Sequence, residues 1–132
     1  MAAKKTNKTS KKKSTLVVSE HGRIYVTATF NNSLVSITND KGDIISWSSA
    51  GNAGFKGTRK STPYAASLAV ENAARKALAS GLKSVDVFIK GPGSGRDSSL
   101  RAIKSSGLSI TSIADITPIP HNGPRAKKKR RI

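Results

Sequence analysis

The chain has 132 residues, which suffices for one domain, and it carries 24 lysines and arginines against 7 aspartates and glutamates. The formal charge of +17 favours a polyanionic partner, because cationic side chains release the counterions condensed on phosphates. An anionic membrane surface would feel the same field, so charge alone does not identify the polyanion. The absence of cysteine excludes disulfides and thiolate metal sites, and the sequence has no apolar run of about 18 residues that would predict a membrane-spanning helix.

The positive charge is concentrated at the two ends of the chain. Residues 1–14 contain six lysines and residues 125–132 contain six lysines and arginines, both without an acidic residue, whereas residues 15–124 carry 12 basic and 7 acidic groups. We therefore predict a disordered basic arm at 1–14, a single domain at 15–117 and an extended arm at 118–132. Such arms can serve solubility alone, but two of them on a basic body favour binding to RNA or DNA. The cations expected to contact phosphates are Lys11, Lys12, Lys13, Arg125, Lys127, Lys128, Lys129, Arg130 and Arg131.

Residues 16–47 alternate between apolar and polar side chains, which is the period of half-buried β-strands. Three strands are predicted, at 24–30, 34–38 and 44–47. The separating sequences, Asn31-Asn32 and Asn39-Asp40-Lys41-Gly42, are typical of tight turns because asparagine and glycine tolerate left-handed backbone angles. The three strands form a predicted antiparallel meander whose first strand buries Ile24, Val26, Ala28 and Phe30.

The period becomes helical after Thr62-Pro63, a pair that caps free amides and begins a helix without losing a hydrogen bond. This helix is predicted to end at Gly81, and its buried face consists of Ala66, Ala69, Val70, Ala73, Ala74, Ala77 and Leu78. A strand follows at 85–89, then a short helix between Gly95 and Gly107, and a last strand at 108–116. The order β-β-β-α-β-α-β, shared with ribonuclease-H-like proteins, predicts an α/β fold with a mixed five-stranded sheet and two helices packed on it.

The most informative loop, Gly91-Pro92-Gly93-Ser94-Gly95-Arg96, lies between a predicted strand and a predicted helix. Glycines allow a backbone to approach a phosphate closely, and the start of a helix offers unpaired amides to which Arg96 would add a charged fork. The spacing matches neither a nucleoside-triphosphate loop, nor a dinucleotide fingerprint, nor a nucleophile elbow. We predict RNA binding by Gly91, Gly93, Ser94, Gly95 and Arg96; the alternative is a tight turn that requires flexible residues.

A second loop, at residues 51–60, combines three glycines, three cations and one aromatic residue. Its predicted RNA-binding residues are Phe55, Lys56, Gly57, Arg59 and Lys60. Phe55 would stack on an unpaired base while the cations hold phosphates. The alternative is that Phe55 packs under the sheet as a core residue.

A third candidate segment, at residues 118–123, contains two prolines and a glycine and therefore cannot continue a strand or a helix. His121 and Asn122 would donate or accept hydrogen bonds at sugar hydroxyls or base edges, and Gly123 would let the chain turn towards Arg125. A plain exit linker is the alternative.

The sequence does not predict a catalytic role. Ribonuclease-H-like nucleases hold two metal ions with clustered carboxylates and need an acid on the first strand, but residues 24–30 contain none. The acids are dispersed, and His21 and His121 are the only histidines, so neither a zinc site nor a Ser-His-Asp triad is visible. We predict no catalytic residue, no metal and no cofactor. A general nucleic-acid chaperone or nucleoid protein is the alternative function.

Four motifs closely resemble the universal small-subunit ribosomal protein eleven family, in this order: GRIYVTATFNN at 22–32, GFKGTRKSTPYAA at 54–66, GPGSGR at 91–96 and PIPHNG at 118–123. The basic ending is similar to the bacterial form. The resemblance implies a protein of cytoplasmic ribosomes that binds small-subunit ribosomal RNA on the platform and helps shape the messenger RNA and Shine-Dalgarno cleft during translation. It implies small-subunit proteins seven, eighteen and twenty-one as neighbours, with no membrane and no small-molecule substrate. The implied RNA contacts are residues 55–60, 91–96 and 121–125, with both arms.

Overall fold

Residues 20–131, which the computed structural model describes, form an α/β fold in the predicted order of elements. The strands are β1 His21–Ala28, β2 Ser33–Asn39, β3 Ile44–Ser49, β4 Ser84–Lys90 and β5 Ser109–Asp115. The α-helices are α1 Pro63–Ala79 and α2 Gly95–Ser105. A short 3-10 helix at Gly57–Ser61 was not predicted. The predicted α/β class and the β-β-β-α-β-α-β order are therefore confirmed.

The strands form one mixed sheet in the order β3-β2-β1-β4-β5. β1 pairs antiparallel with β2, and β2 pairs antiparallel with β3, which confirms the predicted meander. β4 pairs in parallel with β1, and β5 pairs in parallel with β4, because the chain crosses over through α1 and α2. β1, β3, β4 and β5 therefore run in the same direction. Their carboxyl ends meet along one edge of the sheet, which we call the carboxyl edge.

The core lies on one face of the sheet, where both helices pack. The alternation of β1 places Ile24 and Val26 on this face, and both side chains are fully buried. α1 meets the sheet with a surface made mostly of alanines, so its backbone can approach β3 closely. The close approach is visible in the hydrogen bond that the Ser46 hydroxyl donates to the Ala73 carbonyl, at 2.9 Å.

The boundaries of α1 follow the sequence signals. Thr62 is the N-cap, and its hydroxyl oxygen accepts a hydrogen bond from the Ala65 amide at 3.3 Å, with Pro63 in the first turn. Gly81, which follows the helix, has a φ of 100°, a conformation that favours glycine. Within residues 20–131, neither α-helix has the length and apolar composition needed to cross a membrane.

Two apolar side chains predicted on buried faces are more exposed than expected. The prediction for Phe30 was wrong because β1 ends at Ala28, and a hydrogen bond from the Thr29 amide to the Asn32 carbonyl closes a turn. Phe30 lies in this turn with 58% of its surface exposed. Leu78 lies at the margin of the buried face of α1 and is 37% exposed, whereas the other six predicted members of that face are buried.

Residues 116–131 form neither helix nor strand, and all of them are exposed. The predicted arm at 1–14, with Lys11, Lys12 and Lys13, lies outside the described residues. The division into an arm, a domain at 15–117 and a second arm at 118–132 therefore stays a prediction.

A hydrogen-bonded cluster joins three strands near the edge opposite the carboxyl edge. His21 Nδ1 lies 2.9 Å from the Ser84 hydroxyl, and His21 Nε2 lies 2.9 Å from a carboxylate oxygen of Asp86. The Ser112 hydroxyl donates to the other oxygen of Asp86 at 2.8 Å. The hydrogen bond from His21, followed by the one from Ser112, lowers the pKa of Asp86. The Asp86 carboxylate thus links β1, β4 and β5.

Replacing Asp86 with asparagine should lower the free energy of unfolding at neutral pH. Since folding lowers the pKa of Asp86 from its ordinary value of 3.8, the carboxylate stabilises the fold above that value, and this contribution is lost as the pH falls through the lowered pKa of the folded state. In denaturant titrations, the difference between wild type and Asp86→Asn should therefore stay constant above about pH 5 and shrink as the pH falls from there through the lowered pKa of Asp86.

The matched control is Glu71→Gln, because Glu71 is an exposed acid on α1 for which the described part of the chain offers no ion pair. Its unfolding free energy should stay close to that of wild type. A difference between wild type and Asp86→Asn that stays constant over the whole pH range would contradict the proposed role of the carboxylate.

Candidate nucleic-acid interface

Four segments distant in sequence meet at the carboxyl edge because of the direction of the strands. They are the β1–β2 turn, the β3–α1 loop, the glycine loop between β4 and α2, and the tail after β5, at residues 29–32, 50–62, 91–94 and 116–131. The structure thereby brings together the predicted RNA-binding residues of the β3–α1 loop and the glycine loop, with Gly95 and Arg96 in the first turn of α2, and it adds Arg130 from the tail.

The glycine loop packs directly on the end of β1. The Gly93 amide donates to the Ala28 carbonyl at 2.9 Å, and Gly91 has a φ of 98°. A Cβ on Gly91 would overlap the Ala28 carbonyl, and a Cβ on Gly93 would overlap the Thr29 carbonyl. The close packing of the glycine loop on the end of β1 therefore requires both glycines. The alternative interpretation of this loop, a tight turn that requires flexible residues, therefore has a structural basis. Contact of the loop with phosphate stays a prediction.

Arg96, predicted to bind phosphate, is engaged within the protein. Its guanidinium donates to the Gly91 carbonyl and to the Asp115 carboxylate, each at 2.6 Å. The Thr117 hydroxyl donates to Asp115 at 2.6 Å and accepts from the Gly91 amide at 3.1 Å. The hydrogen bonds from Thr117 and then from Arg96 hold the pKa of Asp115 well below its usual range. Arg96 thus fixes the start of the tail against the glycine loop, and its contact with RNA stays a prediction.

Ser94 and Gly95 also make close contacts inside the protein. The Ser94 hydroxyl donates to the Ser61 carbonyl at 2.7 Å, which joins the glycine loop to the 3-10 helix. A Cβ on Gly95 would overlap the Ser33 hydroxyl, so this glycine lets α2 approach β2. Asp97 lies in the first turn of α2, where its negative charge offsets the helix dipole that would attract a phosphate. The amides at the start of α2 are consequently a weaker anion site than the sequence indicated.

The β3–α1 loop presents the cations that fit the prediction most directly. Lys56 and Arg59 are exposed and border an open hollow of about 330 Å³, and Lys60 is half-buried. Phe55 is half-buried, with its ring edge-to-face against Tyr64 at a centroid distance of 5.9 Å. Phe55 is therefore neither a core residue nor a fully exposed platform, and part of its ring is accessible to a base.

The tail returns to the β1–β2 turn. Its first predicted contacts, His121, Asn122 and Gly123, are exposed, and Asn122 has a φ of 61°. Arg130 donates to the Asn31 side-chain oxygen at 2.6 Å, and its guanidinium carbon lies 5.1 Å from the centroid of the Phe30 ring. The other predicted cations of the tail are also exposed: Arg125, Lys127, Lys128, Lys129 and Arg131.

Acidic side chains lie mostly away from the carboxyl edge. Glu20, Asp40 and Asp43 lie at the opposite edge, where β1 and β3 begin. Of the acids within residues 20–131, Asp97 and Asp115 are the two at the carboxyl edge, and Asp115 is paired with Arg96. The described residues contain no group of three histidines or acids that could hold a metal ion. This distribution of acids agrees with the prediction that a polyanion binds at the carboxyl edge, which stays a prediction.

A basic α/β domain whose loops and tail bring cations to one edge of a sheet has the features of the nucleic-acid-binding class of proteins. The family model described as Ribosomal protein S11 matches residues 22–131. The protein is also similar to the small ribosomal subunit protein uS11 of Christiangramia forsetii, with 52% identity over 132 residues, covering 98% of this chain and 99% of that relative. The chain therefore belongs to the ribosomal protein S11 family. Membership confirms the resemblance seen in the motifs, the non-enzymatic, RNA-binding role and the predicted place on cytoplasmic ribosomes.

Sequence reasoning missed two residues of this surface, Phe30 and Asp115. Phe30 was assigned to β1 because the apolar alternation continues through it, although the Asn31-Asn32 pair directly after it indicated that the chain turns there. Asp115 lies 19 residues from Arg96, and no sequence pattern connects the two. They meet because the end of β5 lies beside the start of α2.

Replacing Gly93 with alanine should destabilise the fold by roughly 1–3 kcal/mol, since the added methyl group overlaps the backbone at the end of β1. Gly51→Ala is the matched control, because the nearest atom to its Cβ would be the Lys60 Cδ at 3.6 Å, an ordinary contact. Denaturant titrations should show Gly51→Ala to be neutral or slightly more stable than wild type. Equal stability of the two variants would contradict the close packing of the glycine loop.

Proposed function

We propose that the chain is a structural component of the small ribosomal subunit that binds ribosomal RNA through its carboxyl edge and both arms. The observation that carries this proposal is the convergence of the β3–α1 loop, the glycine loop and the tail at one edge, with most acids elsewhere. The 52% identity to the small ribosomal subunit protein uS11 of Christiangramia forsetii supports the assignment to the small subunit.

The exposed cations and the turns of the carboxyl edge contribute to RNA binding in different ways. Exposed cations such as Lys56 and Arg59 neutralise phosphates, which supplies affinity but carries little sequence information. The turns at the carboxyl edge are held by hydrogen bonds to a rigid sheet, so they present their side chains in a fixed geometry. Specificity for a particular RNA shape is therefore expected from the turns, with Phe55 available to stack on an unpaired base.

The finer position of the protein is proposed from the resemblance of its motifs. A place on the platform of the small subunit, beside proteins seven, eighteen and twenty-one, would put the carboxyl edge against ribosomal RNA and near messenger RNA. In that position the protein would help shape the cleft that holds the Shine-Dalgarno helix.

Removing the charge of the β3–α1 loop should weaken the attachment of the chain to ribosomal RNA. The variant Lys56→Gln, Arg59→Gln and Lys60→Gln loses three cations without changing the core. The fraction of chain retained on purified small subunits is measured through washes of rising salt concentration. A plot of the logarithm of the binding constant against the logarithm of salt concentration should become less steep, by about 1 for each phosphate that the variant no longer neutralises.

The control variant removes the same charge from the opposite edge, through Lys41→Gln, Lys83→Gln and Lys104→Gln. It should release from small subunits at the same salt concentration as wild type. Equal weakening by both variants would favour the general nucleic-acid chaperone or nucleoid protein, which needs no defined edge. A wild-type chain that does not sediment with small subunits after a high-salt wash would contradict the ribosomal function itself.

A further inference from the structure

The carboxyl edge contains a notch between the β1–β2 turn, the 3-10 helix and the tail. Its walls include the ring of Phe30, the side chains of Asn31 and Lys60, and the guanidinium of Arg130. The notch holds 530 Å³ of open space, within the range of roughly 300–1,000 Å³ that is typical of sites for small ligands. Neither Phe30 nor Asn31 is among the residues predicted to contact RNA.

The Phe30 ring is exposed on a rigid support. The Thr29 amide donates to the Asn32 carbonyl at 2.9 Å, and the Asn32 amide donates to the Thr29 hydroxyl at 3.1 Å. The Asn32 side chain in turn accepts from the Ser33 amide at 2.8 Å, which connects the turn to the first residue of β2. A large aromatic surface is thus held in water by a turn with little freedom, so a partner that covers it loses little conformational entropy on binding.

The occupant of the notch in this structure indicates the chemistry that fits it. The Arg130 guanidinium is flat and carries N–H donors; it lies over the Phe30 ring while it donates to the Asn31 oxygen at 2.6 Å. An amino-bearing nucleobase has the same two properties, a flat face and N–H donors at its edge. Aromatic rings stack on bases of any sequence, and an amide oxygen beside the ring accepts from the amino group of a base.

We propose that the notch binds one unpaired nucleotide of the RNA that the protein contacts. The base stacks on Phe30 in place of Arg130, and its amino group donates to the Asn31 oxygen. Lys60 and the displaced Arg130 then bind the phosphates on either side. This proposal rests on the proposed ribosomal RNA-binding function and deepens it by assigning a base-binding position.

Phosphate alone does not fit the notch as well as a nucleotide does. The face of an aromatic ring carries negative electrostatic potential, so the Phe30 ring attracts the Arg130 cation but repels an anion. The cation of Lys60, which also lines the notch, attracts a phosphate. A ligand that presents a flat neutral group to Phe30 and an anionic group to Lys60 interacts favourably with both side chains, and a nucleotide has this combination.

Replacing Phe30 with alanine tests the stacking directly. The variant competes with wild-type chain for incorporation into small subunits reconstituted from ribosomal RNA and the remaining small-subunit proteins. Removing one base–aromatic stack should reduce its relative affinity roughly 5- to 150-fold, without changing the salt dependence, because no charge is removed. Phe30→Tyr, which keeps the ring, should restore incorporation.

Trp47→Ala is the matched control, because Trp47 is 57% exposed and lies on β3, on the sheet face opposite the helices. It should compete equally with wild type. If Phe30→Ala competed as well as wild type, the notch proposal would be overturned. The proposed function would nevertheless stand if the variant without the charges of Lys56, Arg59 and Lys60 bound small subunits weakly. The notch proposal would also be overturned if Trp47→Ala lost as much relative affinity as Phe30→Ala. Failure of the wild-type chain to incorporate would overturn both proposals.

Discussion

The carboxyl edge depends on a contact at which two backbones meet without a side chain between them. The Gly93 amide is bonded to the Ala28 carbonyl at 2.9 Å, and the neighbouring Gly91 has a φ of 98° that other residues rarely adopt. This contact fixes the start of α2 and thereby holds the Ser94 hydroxyl against Ser61 and the Arg96 guanidinium against Asp115. One backbone contact therefore sets the positions of the β3–α1 loop and of the base of the tail.

Cations at this edge have two separate roles. Arg96 is held by two hydrogen bonds of 2.6 Å, and its charge is offset by Asp115, so it stabilises the surface from within. Lys56 and Arg59 are exposed on the neighbouring loop, where a phosphate can approach them at a small cost in desolvation. The distinction explains why a charge count predicts a polyanionic partner correctly but does not identify which cations meet it.

The sequence predicted the order of the elements because each one carries a local signal. Thr62-Pro63 begins α1 and Gly81 follows its end, and the turn at 39–42 separates β2 from β3, all as expected. Phe30 was misplaced because alternation of apolar residues does not show where a strand stops pairing. The roles of Gly91 and Arg96 were beyond sequence reasoning, since their partners, Ala28 and Asp115, are brought close only by the parallel pairing of β4 with β1 and β5.

The central claim is that RNA meets the carboxyl edge and not the opposite one. Because the chain contains no cysteine, a single introduced cysteine can carry an iron chelate that cleaves nearby RNA. Thr58→Cys places the chelate at the carboxyl edge, and Asp40→Cys places it at the opposite edge, in small subunits reconstituted with each variant. We predict strong, localised cleavage of ribosomal RNA from position 58 and much weaker cleavage from position 40. Equal or stronger cleavage from position 40 would contradict the account.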